Sequence, residues 1–389
     1  MISVEEARAR LFAAAPRMGD ETVPLAAAVG RVAAADILAT RTQPPFPSSA
    51  MDGYAVRAVD GLGPLRVVGE SAAGRRFAGT MGPGEAVRIF TGAPVPPEAD
   101  AIAIQEDVTA EGEWITLTEP VAHGTYVRRE GLDFVAGDRL VEAGTRLAPR
   151  HVALAGAGGH AALPVARRPR VAFLATGDEL KAPGEPTGPD DIVASVTPAL
   201  SAMVEAAGGE AIDLGIAPDD RAAIAARARE GLAAADILVT LGGASVGDHD
   251  LVRPVLADLG VALDFWRVAV RPGKPLMFAP SPLVLGLPGN PVSGVVCTLL
   301  FLAPLVERMQ GVAAPGPAEQ SAELGAPVGR GSVRRDHLRA KRDENGRIVP
   351  FPVQDSSMLS ILGAADVLLI REPHAPPAAV GERCQIIPL

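Results

Sequence analysis

Between Arg170 and Met309, short apolar runs alternate with helix-length segments, and this alternation limits the possible folds more than any other feature of the chain. Val171–Ala175, Ala211–Ile216, Ile237–Leu241 and Val284–Leu287 read as strands of the fully buried type. Pro198–Ala207, Asp219–Ala234, Leu251–Leu259 and Val292–Met309 read as helices. Parallel strands need long crossovers, and helices of this length supply them. The segment therefore predicts a doubly wound parallel α/β sheet. Aromatic residues are only 4%, so its core must be built from Ala, Val, Leu and Ile.

The 389 residues are too many for one ordinary core, and roughly two to four domains are expected. Residues 1–40 together with 127–168 read as a helical unit. Val4, Ala7 and Leu11 share one side of its first helix, Ala26–Leu38 resumes with good helix formers, and Pro149–Ala157 adds another helix. Residues 41–126 turn to Pro, Gly and short strand-like runs such as Val87–Phe90 and Ala101–Ile104, which predicts an inserted β domain. Residues 169–312 make the α/β domain, 313–317 a Pro/Gly linker, and 318–389 a small C-terminal β barrel.

A net charge of −10 and a pI near 5.2 argue against nucleic-acid binding, which needs a basic face. Cys297 and Cys384 cannot make a disulfide framework, and the six histidines show no zinc-like spacing. The start MISVEEARARL lacks the pattern of a signal peptide. No apolar run was expected to reach the ~18 residues of a membrane span. A cytoplasmic protein is the expectation.

In an open α/β sheet the ligand crevice lies beyond the carboxyl ends of the strands. The loops expected there are Thr176–Leu180, Gly242–Asp250, Arg271–Pro275 and Leu287–Ser293, the third following a strand-like stretch Phe265–Val270. Each contains Gly, which lets backbone N–H groups approach an anion, and two precede helix N-termini. Any one of them alone is an ordinary turn; four at one edge suggest a site. Arg271 and Lys274 supply positive charge, while Asp178, Glu179 and Asp250 supply carboxylates. Carboxylates beside an anion site call for a bridging cation such as Mg²⁺, so the reading is a phosphorylated or oxyanionic ligand with a divalent metal.

Ser49-Ala50-Met51-Asp52-Gly53-Tyr54-Ala55-Val56-Arg57, Phe90-Thr91-Gly92-Ala93-Pro94 and the run Arg128, Gly131, Asp133-Phe134, Gly137-Asp138 then match hallmark motifs. With the four loops, they make the chain similar, over nearly its whole length, to the MoeA/gephyrin family of molybdopterin molybdenumtransferases. The resemblance implies a four-part fold and an elongated homodimer. Each site would lie between the α/β domain of one subunit and residues near Asp52, Thr91 and Asp133 of the other. It implies insertion of molybdate into adenylyl-molybdopterin with release of AMP, aided by Mg²⁺.

On that resemblance the catalytic candidates are Asp52, Asp133, Glu179, Asp250 and Lys274. Substrate-binding candidates are Thr91, Gly92, Gly177, Gly243, Ser245, Arg271, Pro288, Asn290, Pro291 and Ser293, and the metal candidates are Asp178 and Asp250. Expected partners are a second subunit, other molybdenum cofactor biosynthesis proteins and recipient molybdoenzymes, with no nucleic acid and no membrane. Val196 stands where the family usually has Asn, and Gln354–Ser357 replaces a Gly-containing loop. The alternatives are a molybdopterin adenylyltransferase and a diverged, non-catalytic scaffold.

Overall fold

A computed structural model describes residues 1–242 and 251–389 of the chain. Its central sheet has the strand order Glu210–Ala217, Arg170–Thr176, Ile237–Leu241, Leu283–Leu287, Met277–Pro280. The first four strands are parallel, and Met277–Pro280 closes one edge antiparallel. Along Arg170–Thr176 the side chains divide by alternation: Val171, Phe173 and Ala175 enter one core, Ala172 and Leu174 the other. Helix Val196–Ala206 and the helix from Pro291 to Gln310 cover the first face; Arg221–Ala234 and Val252–Asp258 cover the second.

The helix Pro291–Gln310 corrects one expectation. With 20 residues and a mean hydropathy of 1.6 it is long and apolar enough to cross a membrane. However, 72% of its most apolar window is buried within this protein, and its Val296, Leu300, Phe301 and Leu305 belong to the core. It is a core helix that happens to reach span length.

A second correction concerns Phe265–Val270. Within it, Phe265 makes only an isolated bridge to Phe278, and the two-residue strand Val270–Arg271 pairs in parallel with Arg335–Asp336 of the C-terminal sheet. The Arg271–Pro275 loop thus leads from a strand shared with the C-terminal domain into the antiparallel edge strand.

The first segment also departs from a helical unit. Helix Val4–Ala14 forms, with the Ser3 hydroxyl accepting from the Glu6 N–H at its N-terminus. Its buried Val4, Ala7 and Leu11 join the core of the α/β domain, and Ile2 bridges to Val268. Ala26–Leu38 is not a helix: only Leu25–Ala28 is helical, and Ile37–Leu38 is a strand paired with Arg139–Val141. Asp20–Pro24 pairs with Ala162–Ala166, so the unit mixes short paired strands with helices, among them the nine-residue Pro149–Ala157. Gly30, at φ +81°, stops the Ala-rich run, and pairing to distant strands outweighs local helix propensity.

The inserted domain is a six-stranded sheet ordered Ala101–Ile104, Gly53–Val56, Glu85–Ile89, Leu65–Ser71, Trp114–Leu117, Val108–Glu111. Gly53 is required by packing, since a Cβ there would collide with the Ala103 carbonyl on the neighbouring strand.

In the C-terminal domain, Arg335–Arg342 pairs with Val367–Arg371, then Arg383–Pro388, then Gln320–Glu323, with Ile348–Pro350 on its other side. A bridge between Leu324 and Ile348 joins the two free edges, so five strands form a ring. Arg335 ties the parts together: its guanidinium meets Glu5 (3.3 Å), Glu319 (2.9 Å) and Glu372 (2.8 Å).

Candidate functional site

The loops after the first, third and last parallel strands begin side by side. A Cβ on Gly242 would lie 3.1 Å from the Thr176 carbonyl oxygen, and one on Gly289 would lie 3.6 Å from Gly242 Cα. The Gly242 N–H donates to the Leu287 carbonyl at 3.3 Å. Gly243, Ser245 and Asp250 lie outside the described residues. Two clefts lie beside this junction, and they divide the predicted residues between them.

One cleft, of about 790 Å³, lies between the α/β and C-terminal domains. Arg271, Lys274, Pro288, Asn290 and Ser293 line it together. Pro291 opens the helix that follows, with Asn290 at its N-cap, so free N–H groups and the positive end of the helix dipole face the same end of the protein. The C-terminal domain adds Arg330, Arg334 and Arg371, which sequence reasoning missed. Their signal was the basic stretch Gly329–Arg335; what could not be read was that a β domain expected to close the chain would lean over the α/β loops. Among the described residues, the side chains of Arg271, Lys274 and Arg330 make no hydrogen bond or ion pair, and Arg271 and Lys274 are exposed. The two carboxylates on the wall are already engaged: Asp336 accepts from the Ser332 N–H (3.2 Å) and hydroxyl (2.7 Å), and Asp355 from the Ser357 N–H (2.8 Å) and hydroxyl (2.7 Å). Those Ser357 bonds hold the Asp355 carboxyl below the usual range, with a further contribution from Arg339.

The altered loop Gln354–Ser357 is what seats the two domains against each other. Asn290 donates its amide to the Ser356 hydroxyl (3.0 Å), and the Val292 N–H donates to the Ser356 carbonyl (3.1 Å). Behind the loop, Gln354 donates to the Arg339 and Phe351 carbonyls, and Arg339, 1% exposed, donates to the Asp355 carbonyl at 2.8 Å. Nearby, Val196 meets the helix at Gly294, where a Cβ would stand 3.3 Å from the valine Cγ1. This departure replaces a polar position with an apolar contact between two helices.

The other cleft, about 540 Å³, is lined by Gly177, Asp178, Lys181, Glu185, Thr197 and Asp213 among others. Glu179 folds back so that its carboxylate covers Gly177, leaving no room for a Cβ there. Asp178 accepts from the Asp219 N–H through one oxygen (3.0 Å); among the described residues its second oxygen makes no hydrogen bond. Among the described residues no three His, Cys, Asp or Glu side chains gather as a metal-ligand set. Asp178 and Lys274 therefore line separate clefts, where the sequence reading had placed them in one.

The hallmark motifs converge on the inserted domain and its stem. Asp52 accepts two hydrogen bonds through Oδ1, from the Thr91 N–H (2.7 Å) and the Thr91 hydroxyl (2.8 Å). The Thr91 N–H first and its hydroxyl second hold the Asp52 carboxyl below the usual range, with help from Arg88. The Gly92 N–H donates to the Ser49 carbonyl (2.8 Å), and Ser48–Ser49 pairs with Val127–Arg128. The Asp133 N–H donates to the Gln43 carbonyl at 3.1 Å, which brings the third motif alongside the first. Among the described residues, no hydrogen bond or ion pair joins Asp52, Thr91 or Asp133 to the α/β loops of the same chain.

A parallel sheet with glycine-lined loops at one edge and a cationic cleft roofed by a second domain defines a multidomain α/β protein with a cleft between domains. The family is shown by comparison. Residues 2–159 match the MoeA N-terminal region (domain I and II), 172–308 a probable molybdopterin binding domain, and 321–389 the MoeA C-terminal region (domain IV). A molybdopterin molybdenumtransferase of Nostoc sp. is 37% identical, covering 80% of this chain and 76% of that one. One from Haemophilus influenzae is 33% identical over 100% of this chain and 98% of its own. The crystal structure of the molybdopterin biosynthesis moeA protein from Pyrococcus horikoshii OT3 superposes with a TM-score of 0.88 at 29% identity, covering 100% of both chains. The chain belongs to the MoeA family of molybdopterin molybdenumtransferases.

Proposed function

We propose that this protein inserts molybdate into adenylyl-molybdopterin, releasing AMP, as a step in molybdenum cofactor biosynthesis. The observation that carries the reading is the cleft lined by Arg271, Lys274, Arg330, Arg334 and Arg371, whose two carboxylates are both occupied by serine donors. Such a wall suits a dianion the size of molybdate, held by charge-assisted hydrogen bonds. Its neighbour at Gly177 and Asp178, with Glu179 folded over Gly177, would receive part of the larger pterin substrate. The shared Thr176–Gly242–Gly289 junction would hold the two anions side by side, so that much of the rate gain comes from positioning groups that repel in water.

Mg²⁺ fits this arrangement in part. The Asp178 oxygen that makes no hydrogen bond among the described residues would be one ligand, and Asp250, which lies outside them, is the proposed second; Mg²⁺ commonly takes one or two carboxylates with substrate phosphates and water. When bound, the ion would neutralise the phosphoanhydride. Asp52 stays ionised and, with Thr91, would orient substrate groups or water from the inserted domain, with Asp133 beside it. Among the described residues no hydrogen bond or ion pair within one chain ties Asp52 to the α/β loops, which supports a site completed by the inserted domain of a second subunit in a cytoplasmic homodimer.

The decisive test supplies purified protein with adenylylated molybdopterin, Mg²⁺ and molybdate. AMP release dependent on molybdate is expected. Release no faster than in a protein-free control would overturn the reading, and consumption of ATP without molybdate would point to an adenylyltransferase.

A further inference from the structure

Gly273 sits in the centre of the loop that carries Arg271 and Lys274, with φ at +114°. The space beneath it is filled by one atom: a Cβ on Gly273 would collide with Cys297 Sγ. Cys297 is fully buried, and its thiol donates to the Gly273 carbonyl at 3.8 Å. It lies one helical turn beyond Ser293, which lines the cationic cleft from the other side. The helix then widens into a π-helical stretch, Thr298–Leu302. One side chain therefore touches the backbone of the Arg271–Pro275 loop from the helix that bears Ser293, and the spacing of the two cleft walls passes through it. Burial pushes the thiol up to about 12, so it stays protonated, and a donor, at any ordinary pH.

We infer that Cys297 is a positioning residue: its sulfur sets the height of the Gly273 loop and thereby the distance of Lys274 and Arg271 from Asn290 and Ser293 across the oxyanion cleft. The inference rests on the proposed reading of that cleft as the molybdate site. Removing the sulfur leaves a void under a glycine-centred loop, which then settles or fluctuates and no longer holds Lys274 at its bonding distance.

The test measures molybdate binding by isothermal titration calorimetry, and separately kcat and the KM for molybdate, in the full-length wild type, Cys297→Ala and Cys297→Ser. The alanine variant should bind molybdate at least about fivefold more weakly, with kcat at saturating molybdate within about twofold of wild type. The serine variant keeps a donor but on a shorter bond and with a smaller atom, so its affinity should fall between those of Cys297→Ala and wild type. Unchanged affinity in Cys297→Ala overturns the inference. So does an equal loss in both variants accompanied by a fall in kcat and in thermal midpoint, which would mark a residue needed only for folding. If the wild type binds molybdate and Cys297→Ala binds it equally, the positioning role alone fails. If the wild type does not bind molybdate, or binds it as well after Lys274→Ala, the reading of the cleft fails and this inference with it.

Discussion

At the scale of single residues, the two ends of the proposed site make opposite demands. Asp52 is exposed, yet it is held by two donors from one threonine, an arrangement that fixes the direction of its free oxygen. Asp52→Asn would replace one carboxylate oxygen by an NH2 group that donates and cannot accept, and Lys274→Ala would remove a cation that makes no ion pair among the described residues. Each should lower turnover by more than roughly tenfold, about 1.4 kcal/mol of barrier, in the AMP-release assay. His337 tests the fold instead. It is fully buried, and burial with the nearby Arg335 charge pushes its pKa down to about 3. The unfolded histidine titrates near 6.5, so the unfolded chain binds the extra proton first as pH falls. The stability tied to keeping His337 neutral is fully present above about pH 6.5 and declines toward pH 3, by up to about 1.4 kcal/mol per pH unit. Urea unfolding at pH 7 and pH 5 should show that loss in the wild type and a shallower one in His337→Leu.

Among the elements, the N-terminal helix carries the clearest structural prediction. Leu11 is fully buried in the α/β core, so Leu11→Ala should cost about 2–5 kcal/mol in denaturant unfolding, and the loss should appear in the α/β domain. The sequence showed that Val4, Ala7 and Leu11 form an apolar stripe but not which surface it covers, because a stripe records its own width and not its partner's position. The parallel strands were legible for the opposite reason: Val171–Ala175 and Ile237–Leu241 are apolar on both faces, and only a two-sided core accommodates that. Met277–Pro280 was missed because prolines bracket it, a pattern that suits an edge strand and hides it from period counting. Of the candidate site, the glycine loops and their cations could be read directly. The split into two clefts, and the arginines arriving from the C-terminal domain, depend on how domains lean together, and local pattern does not encode that.

For the whole molecule, the proposal that Asp52 acts on the Lys274 cleft of a second subunit yields a test of assembly. If each site combines the inserted domain of one subunit with the α/β loops of another, Asp52→Asn and Lys274→Ala proteins are each inactive but complement one another. Co-folded in equal amounts, half the dimers would be mixed, each with one intact site, so about a quarter of wild-type activity should return. No recovery, with mixed dimers verified by differential tagging, would place the site within one subunit.

The seating of the N-terminal helix also bears on how the chain is made. Its partners among the core helices include Leu305 and Met309, nearly three hundred residues further on. At translation rates of about 5–20 residues per second, the ribosome delivers that surface tens of seconds after the helix has emerged. Until then Leu11 and its neighbours lack that native surface, so a segment synthesised early is among the last to be locked in place, and its apolar stripe stays open to a chaperone while it waits.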